Sequence, residues 1–343
     1  MILPASAPES IAAAADQIRA GKLLGLPTET VYGLAAHADD DAAVAQIFRA
    51  KGRPADHPLI VHVAHADAVA HYASAVPEFA QKLMQAFWPG PLTLILPRRP
   101  GVASAAAGGN PSIGLRCPSH PVAQALLTKL LEDVGLDALP VWGVAAPSAN
   151  QFGRVSPTTA AHVQAEFGDD LLILDGGACQ VGIESTIIDC TRGQPVLLRP
   201  GAITPAQVQA VCGLKVLLKS ELSALAAPAP KASGTLESHY APQATVRLMT
   251  AKDLQTALTL LGHEAPSQTV RPSIAVYSRT VVAKASTHVL YRRMPDDAAS
   301  TAQQLFAALR DFDAQGVKLI WIETPPDAQD WDGVRDRLQR AAS

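Results

Sequence analysis

Hydroxyl, carboxylate and phenol groups are concentrated directly after the first apolar stretch of the chain. The segment PTETVYGL carries Thr28, Glu29, Thr30 and Tyr32, and it follows the apolar residues 23–26. Ligands of α/β proteins usually bind beyond the carboxyl ends of strands, so this composition predicts a small-molecule site. A capped turn ahead of a helix is the alternative interpretation of so short a segment.

Three cationic or potentially cationic side chains follow on one turn-rich segment. Lys51, Arg53 and His57 surround a Gly-Arg-Pro turn, in which Gly52 permits a helix C-cap and Pro54 cannot continue a helix. A planar Arg fork and a mobile Lys ammonium on one loop suit a polyphosphate. Each cation, taken singly, is equally well explained by a favourable position at a helix C-terminus.

Further cations and hydroxyls stand beside later apolar stretches. Arg116 ends SIGLR, Arg199 ends VLLR, and the intervening segment APSANQFGRVSPT carries Ser148, Asn150 and Ser156. The Ser156 hydroxyl is predicted to cap a helix, to bind a ligand at the helix N-terminus, or to do both. If these strand ends converge on one face, they give a local positive field in a chain of net charge −3.

His62 lies inside the apolar run LIVHV. A hydrogen-bonded core histidine is the common explanation for such a residue, and a ligand contact at the strand end is the less common one. Both interpretations remain open from the sequence alone.

Composition excludes several classes of protein. With 28 Lys and Arg against 31 Asp and Glu, the chain is not a polycation that coats nucleic acid. Its four cysteines form no CxxC pair, and the N-terminus has neither a basic leader nor an apolar run of bilayer length, so we expect a cytoplasmic protein without a membrane span. The signatures GxxxxGK[ST], GxGxxG, HExxH and GxSxG are missing from the sequence.

The periodicity of apolar residues predicts an α/β protein. Predicted helices span residues 9–20, 40–50, 78–87 and 121–131, and predicted strands span residues 23–26, 59–63, 92–96, 141–145, 171–174, 185–189 and 196–198. The close spacing of the last three strands favours a mixed sheet. After Leu218 the chain becomes rich in Ala, Pro and Ser, and a second, smaller α/β unit follows, with strands at 245–249, 273–277 and 317–322 and helices at 254–261, 298–312 and 331–342.

The ordered motifs PTETVYGL, KGRP with PLIVHV, LRCPSH, SAN with GRVSPT, ESTIID and LRPGAI resemble the YrdC/Sua5 family. The element SHYAP at residues 238–242, followed by a second α/β unit, resembles the longer Sua5 form. The resemblance implies a twisted mixed-sheet YrdC-like catalytic domain with a concave basic face in residues 1–204. It also implies a long linker in residues 205–244 and a smaller, Rossmann-like C-terminal domain in residues 245–343.

Members of this family are L-threonylcarbamoyladenylate synthases. The resemblance therefore implies a nucleotidyltransferase that makes threonylcarbamoyl-AMP and pyrophosphate from L-threonine, bicarbonate and ATP, for threonylcarbamoyladenosine formation in tRNA. Mg²⁺ is implied as an ion bound with ATP, without dedicated protein ligands. The product is implied to pass to the tRNA threonylcarbamoyl transferase machinery, which does not require this chain to contact tRNA.

The resemblance also implies roles for individual residues. The residues implied to contact ATP are Lys51, Arg53, His57, Ser112, Ser148, Asn150, Ser156, Arg199 and Tyr240, with Lys51 and Arg53 as the catalytic cations. Those implied to bind L-threonine are Thr30, His62, Arg116, Ala146 and Ser185. Tyr240 is implied to reach over the nucleotide from the linker. An RNA-binding module and a regulatory nucleotide-binding protein without catalysis are the competing hypotheses, and the small number of clustered cations favours a small ligand over a nucleic-acid duplex.

Overall fold

The chain forms two compact units, both of α/β structure. The computed structural model describes residues 1–132, 139–222, 230, 239–261, 272–283 and 288–343. The first unit contains the described residues of Met1–Phe152 and Ser156–Thr235, and the second contains those of Gly153–Val155 and Leu236–Ser343. None of the helices in the described part of the chain is both long enough and apolar enough to cross a membrane.

Strands and helices alternate through the described part of the first unit. In chain order they are β1 (Ile2–Pro4), α1 (Pro8–Arg19), β2 (Leu24–Leu26), β3 (Gly33–His37), α2 (Asp41–Lys51), β4 (Ile60–Val63), α3 (Val69–Tyr72), α4 (Glu78–Phe87), β5 (Leu92–Pro97), β6 (Ser112–Arg116), α5 (Pro121–Glu132), β7 (Gly143–Ala145), α6 (Ala160–Phe167), β8 (Leu172–Asp175), β9 (Thr186–Asp189), β10 (Val196–Arg199), α7 (Pro205–Cys212) and β11 (Leu217–Leu218).

These strands form one large sheet in the order β1-β8-β2-β3-β7-β4-β6-β5-β9-β10-β11. β4 and β6 run parallel, as do β5 and β9, whereas β7 runs antiparallel to β4 and β5 antiparallel to β6. The prediction of a mixed sheet is therefore confirmed. Where two neighbouring strands are antiparallel, their carboxyl ends lie at opposite edges of the sheet, as for β4 and β7.

Local chemistry explains where α2 begins and ends. The Asp40 carboxylate accepts hydrogen bonds from the backbone N–H groups of Ala42 (2.9 Å) and Ala43 (3.0 Å), which satisfies the first turn. Gly52 follows the helix with φ of 63°, a left-handed conformation that glycine adopts without steric cost. Lys51 is thereby fixed as the last helical residue, at the start of the predicted cationic loop.

Three local expectations are corrected by the structure. The interpretation of PTET as a capped turn before a helix is wrong, because the turn leads into β3. Ser156 is not a helix cap: α6 begins later, and the Thr159 hydroxyl accepts the capping hydrogen bond from the His162 N–H (3.3 Å). Residues 205–222 of the predicted linker contain α7 and β11, with α7 starting in a capping box formed by Thr204 and Gln207.

The second unit is a smaller parallel sheet with helices. Its elements are β12 (Thr245–Met249), α8 (Ala251–Leu261), β13 (Ile274–Ser278), β14 (Val289–Arg293), α9 (Ala298–Ala314), β15 (Leu319–Glu323) and α10 (Asp332–Ala341). The strand order is β12-β15-β13-β14, with every pairing parallel. The predicted α/β fold class, a twisted mixed sheet plus a smaller α/β unit, is confirmed. Most of the Ala/Pro/Ser-rich segment, including Ser238 of SHYAP, lies outside the described residues.

Candidate active site

A row of polar side chains crosses the large sheet at the edge where β4 and β6 end, which we call the Arg116 edge. His62 of β4 lies directly beside Arg116 of β6 in parallel register. Thr93 is the second residue of β5, which is antiparallel to β6, while Ser185 precedes β9 and Arg199 ends β10. Hydrogen bonds join the last three, from Thr93 Oγ1 to Ser185 Oγ (2.7 Å) and from Arg199 Nη2 to Ser185 Oγ (3.2 Å). We call these five residues the polar row, and four of them are predicted site residues.

The buried guanidinium of Arg116 is held by three different groups. Its Nε donates to the Gly90 carbonyl (3.2 Å), and its Nη1 donates to Thr30 Oγ1 (2.8 Å). Its Nη2 lies 2.6 Å from Oε1 of Glu29, an ion pair whose angles are not those of a hydrogen bond. A guanidinium carries five N–H donors. The second N–H of Nη1 and both N–H groups of Nη2 therefore have no hydrogen-bond acceptor within the described part of the chain, which leaves a fork of donors suited to a carboxylate.

The charges around Arg116 are set by burial and by the guanidinium itself. Burial would raise the pKa of Glu29, but Arg116 outweighs this effect and lowers the pKa below its usual value, so the carboxylate is ionised at neutral pH. Burial and repulsion by Arg116 lower the pKa of His62 to about 3, so the imidazole is neutral. Nδ1 of His62 is buried and has no hydrogen-bond partner among the described residues. His62 is therefore not a fully satisfied core histidine.

The Thr30 hydroxyl reaches Arg116 through the turn between β2 and β3. Thr28 Oγ1 lies 2.9 Å from Thr30 Oγ1 and donates to the Val31 carbonyl (2.6 Å), which fixes the turn from within. Thr28, Glu29 and Thr30 are all buried. This buried turn therefore places one hydroxyl, that of Thr30, and one carboxylate, that of Glu29, against the Arg116 guanidinium.

Lys51 joins the two motifs that were predicted to bind ATP. Its Nζ donates to the backbone carbonyls of Ser148 (2.6 Å) and Asn150. Burial, with repulsion from Arg53, lowers the pKa of the Lys51 ammonium well below its ordinary value. An anionic ligand beside Lys51 would oppose this shift, since opposite charge favours the protonated form.

Arg53 and His57 share an aromatic neighbour that sequence reasoning did not single out. The Phe152 ring lies under the Arg53 guanidinium, with 6.0 Å from Cζ to the ring centroid, and edge-to-face with the His57 ring at 5.7 Å between centroids. The Arg53 Nη2 also donates to the Pro58 carbonyl (3.0 Å). Phe152 and the chain turn at Pro58 therefore orient the Arg53 fork.

Glu184 and Thr93 also lie at the site, and the sequence did not identify either of them as a site residue. The Ser156 hydroxyl donates to the buried Glu184 carboxylate, and Thr93 belongs to the polar row. Neither Glu184 nor Thr93 carries a local sequence signal beyond its position at the start of a predicted strand, because each contact joins segments far apart in the chain.

Other predicted site residues lie at the opposite edge of the sheet, where β7 ends, which we call the Ser148 edge. The Ala146 N–H donates to the Ile60 carbonyl (3.0 Å), and Ser148 forms an isolated antiparallel bridge with Gly33. Ser112 begins β6 and so lies at the Ser148 edge, about 13 Å along the strand from Arg116 at roughly 3.3 Å per residue. Contacts link this edge to the polar row, because Thr30, which contacts Arg116, lies shortly before Gly33, the bridge partner of Ser148. The charge of Glu184, next to Ser185, also acts on Lys51.

Tyr240 belongs to the second unit. Its ring packs against Phe306 of α9 (5.4 Å between centroids) and under the buried guanidinium of Arg337 of α10 (5.4 Å). Its backbone has φ of 62°, a left-handed conformation that is uncommon for a bulky residue. The ring of Tyr240 is thus held by side chains of α9 and α10.

Within the described part of the chain, no three His, Cys, Asp or Glu residues come together in a way that could hold a metal ion. All four cysteines, Cys117, Cys179, Cys190 and Cys212, are buried free thiols.

Comparison with known proteins identifies the family of the chain. The Sua5-YciO-YrdC family model, described as "Telomere recombination", matches residues 16–201, and the model "Threonylcarbamoyl-AMP synthase, C-terminal domain" matches residues 203–343. The threonylcarbamoyl-AMP synthases of Pyrococcus abyssi and Bacillus subtilis are 38% and 36% identical, covering 96% and 97% of this chain and 93% and 92% of their own lengths. The crystal structure of P. abyssi Sua5 complexed with L-threonine superposes with a TM-score of 0.81 at 36% identity, covering 97% of this chain and 94% of that one. The chain belongs to the YrdC/Sua5 family, in its long Sua5 form.

Proposed function

We infer that this protein is an L-threonylcarbamoyladenylate synthase, a nucleotidyltransferase that converts L-threonine, bicarbonate and ATP into threonylcarbamoyl-AMP, pyrophosphate and water. Full-length relatives bear the name of this enzyme. The single observation in the structure that carries the inference is the buried Arg116 fork beside the neutral His62 and the Thr30 hydroxyl. This group has the donors and acceptors needed for a small hydroxylated amino acid.

We propose that the polar row and the turn after β2 bind L-threonine. The Arg116 fork receives the carboxylate, since a guanidinium binds carboxylates in a bidentate manner. Thr30 and the neutral His62 hydrogen-bond the side-chain hydroxyl and orient the amine. A site that hydrogen-bonds a substrate hydroxyl rejects analogues that lack it, because its own buried polar groups are then unpaired.

The ATP side is proposed to consist of Lys51, Arg53 and Arg199 together with the loop from Ser148 to Ser156. Lys51 has three ammonium donors, of which two bind the carbonyls of Ser148 and Asn150. The third N–H and the positive charge serve the triphosphate. Fixed cations of this kind stabilise the negative charge that develops on the departing pyrophosphate.

Mg²⁺ is proposed to enter with ATP. Mg²⁺ binds through substrate phosphates with one or two carboxylates at most, and the described residues offer no cluster of three acidic or imidazole ligands. The buried Glu184, beside Ser156, is the carboxylate at the ATP side that fits this limited role. When bound, the ion supplies charge neutralisation of the triphosphate.

The bond changes follow from these positions. The α-ammonium of L-threonine first gives one proton to solvent. The neutral amine then forms an N–C bond to the carbon of bicarbonate, and the hydroxyl of bicarbonate leaves with the second amine proton as water, to give a carbamate. A carbamate oxygen then attacks the α-phosphorus of ATP, and the bond from this phosphorus to the bridging oxygen of the β-phosphate breaks. No protein nucleophile takes part, so positioning and electrostatics carry the reaction.

We further propose that Tyr240 covers the nucleotide. The intermediate is proposed to pass to the tRNA threonylcarbamoyl transferase machinery, which does not require this chain to contact tRNA. The reaction is proposed to take place in the cytoplasm. The packing of Tyr240 on Phe306 and Arg337 supports a fixed role for its ring. The four free thiols are consistent with a reducing compartment.

Pyrophosphate release by the purified full-length chain tests the function. We expect release that requires L-threonine, bicarbonate and ATP together and that stops when any one of them is omitted. Pyrophosphate release independent of L-threonine, or tRNA binding with a steep salt dependence and no pyrophosphate release, would contradict the proposal and favour the regulatory or RNA-binding alternative.

A further inference from the structure

Glu29 is a buried carboxylate at the centre of the pocket that the mechanism above does not use. Its side chain and that of Arg116 are each only 4% exposed, and the two meet at 2.6 Å. Its backbone carbonyl accepts a hydrogen bond from the Val181 N–H (2.7 Å), which anchors the residue from a different loop. The position of Glu29 is therefore fixed from both its backbone and its side chain.

Neither carboxylate oxygen of Glu29 accepts a hydrogen bond of normal geometry from any described residue. The backbone N–H groups of Glu29 and Ser119 also favour the ionised carboxyl and so lower its pKa. Buried polar atoms in proteins almost always have a partner, because an unpaired buried acceptor is unfavourable. Glu29 is thus an anionic acceptor that needs N–H or O–H donors.

The unused donors of Arg116 and the unused acceptors of Glu29 lie side by side. The fork offers N–H groups from Nη1 and Nη2, and Oε1 of Glu29 is adjacent to Nη2. An α-amino acid carries a carboxylate and an ammonium on one carbon, which is the complementary arrangement. We propose that Glu29 binds the α-ammonium of L-threonine and thereby makes the pocket select a zwitterion; this assignment rests on the proposed function.

Charge balance supports a zwitterion over a simple anion. Arg116 and Glu29 together are neutral, so a carboxylate without an ammonium would add a net negative charge to a buried site, next to the Glu29 anion. A zwitterion adds no net charge and gives each member of the pair a partner of opposite sign. Glu29 therefore favours amino acids over hydroxy acids of the same size.

Calorimetric titration without ATP tests this assignment. The probes are L-threonine and (R)-3-hydroxybutanoate, which keeps the carboxylate and the hydroxyl but lacks the ammonium. We expect the natural protein to bind L-threonine more tightly than the hydroxy acid. In Glu29→Gln, we expect L-threonine to bind about 10- to 100-fold more weakly, the range for a lost hydrogen bond to a charged group, while the hydroxy acid binds equally well or more tightly.

Two further variants serve as controls, one for the loss of a buried carboxylate elsewhere and one for misfolding of Glu29→Gln. Asp189→Asn removes another fully buried carboxylate of the first unit, which pairs with Arg192 at 2.8 Å outside the pocket, and we expect it to leave the preference for L-threonine unchanged. Glu29→Asp keeps the charge and shortens the side chain, so it serves if Glu29→Gln does not fold, and we expect weaker L-threonine binding with the hydroxy acid unaffected.

An equal loss of affinity for both ligands in the Glu29 variants, or no loss for L-threonine, would overturn the assignment. The first result would mean that Glu29 only holds Arg116 in place. Failure of the natural protein to bind L-threonine at all would instead contradict the proposed function, so the two failures are distinguishable.

Discussion

The ammonium nitrogen of Lys51 lies 2.6 Å from the carbonyl oxygen of Ser148 and donates a hydrogen bond to it. This bond ties the last residue of α2 to the loop that follows β7, although the two are distant in sequence. Lys51 therefore has two roles, since it positions the Ser148 to Asn150 backbone and contributes a buried positive charge to the same place. Both roles predict that the turnover of ATP is unusually sensitive to substitution of Lys51.

Lys51→Ala is expected to lower kcat for pyrophosphate release about 10²- to 10³-fold, the usual loss for one preorganised group that stabilises transition-state charge. Lys82→Ala is the matched control, because Lys82 is an exposed lysine whose surface ion pair with Glu78 (2.8 Å) contributes little. Steady-state kinetics with saturating L-threonine and bicarbonate measure both variants. Full activity of Lys51→Ala would remove Lys51 from the phosphate site.

Arg116→Lys is expected to raise KM for L-threonine about 10- to 100-fold while leaving KM for ATP nearly unchanged. The substitution keeps the positive charge opposite Glu29 but replaces the planar fork by a point charge. Arg192→Lys, which alters a different Arg–carboxylate pair of the first unit, serves as the control. Equal rises of both KM values would mean that Arg116 supports the fold and not the amino acid.

His62 is expected to make the folded protein less stable as the pH falls below 6.5. Its pKa is about 3 in the folded state against 6.5 in the unfolded chain, so the unfolded chain binds a proton that the folded protein does not. This effect amounts to a loss of roughly 2 kcal/mol between pH 7 and pH 5. Urea unfolding of the natural protein and of His62→Asn at both pH values measures the difference, and an identical pH dependence in the two proteins would refute the assignment.

Thr93→Val is expected to raise KM for L-threonine several-fold, because Ser185 loses the partner that holds its hydroxyl at 2.7 Å in the polar row. Thr301→Val removes an equally buried hydroxyl from the second unit, where it donates to the Pro295 carbonyl (3.2 Å). Both variants are expected to lose about 1–2 kcal/mol of unfolding free energy. A KM change in Thr301→Val as large as in Thr93→Val would show that the effect comes from lost stability alone.

Local patterns in the sequence were sufficient to predict the range of elements whose ends carry clear capping residues. The α2 helix is bounded by the Asp40 cap and by Gly52, so its predicted range differs from the structure by a single residue at each end. β3 was missed because its sequence GLAAH lacks β-branched and aromatic residues, and its pairing with β2 and β7 decides its structure. Pro157 makes Ser156 a candidate cap in the sequence, yet Thr159 caps the helix.

The site was predictable residue by residue but not in its arrangement. Motifs located Lys51, Ser148 and Arg116, since cations and hydroxyls beside apolar stretches are visible in the sequence. That Lys51 meets Ser148 and that Thr30 meets Arg116 depends on the pairing of distant strands, which no local pattern records. The Phe152 ring under Arg53 likewise depends on long-range packing.

The most direct test of the proposed function follows the carbon of bicarbonate. The full-length protein is incubated with L-threonine, ATP and isotopically labelled bicarbonate, and the nucleotide products are separated and identified by mass spectrometry. We predict a nucleotide of the mass of threonylcarbamoyl-AMP that carries the label and forms in step with pyrophosphate. Pyrophosphate formed together with an unlabelled AMP derivative, or no such nucleotide while ATP and L-threonine are both bound, would contradict the account.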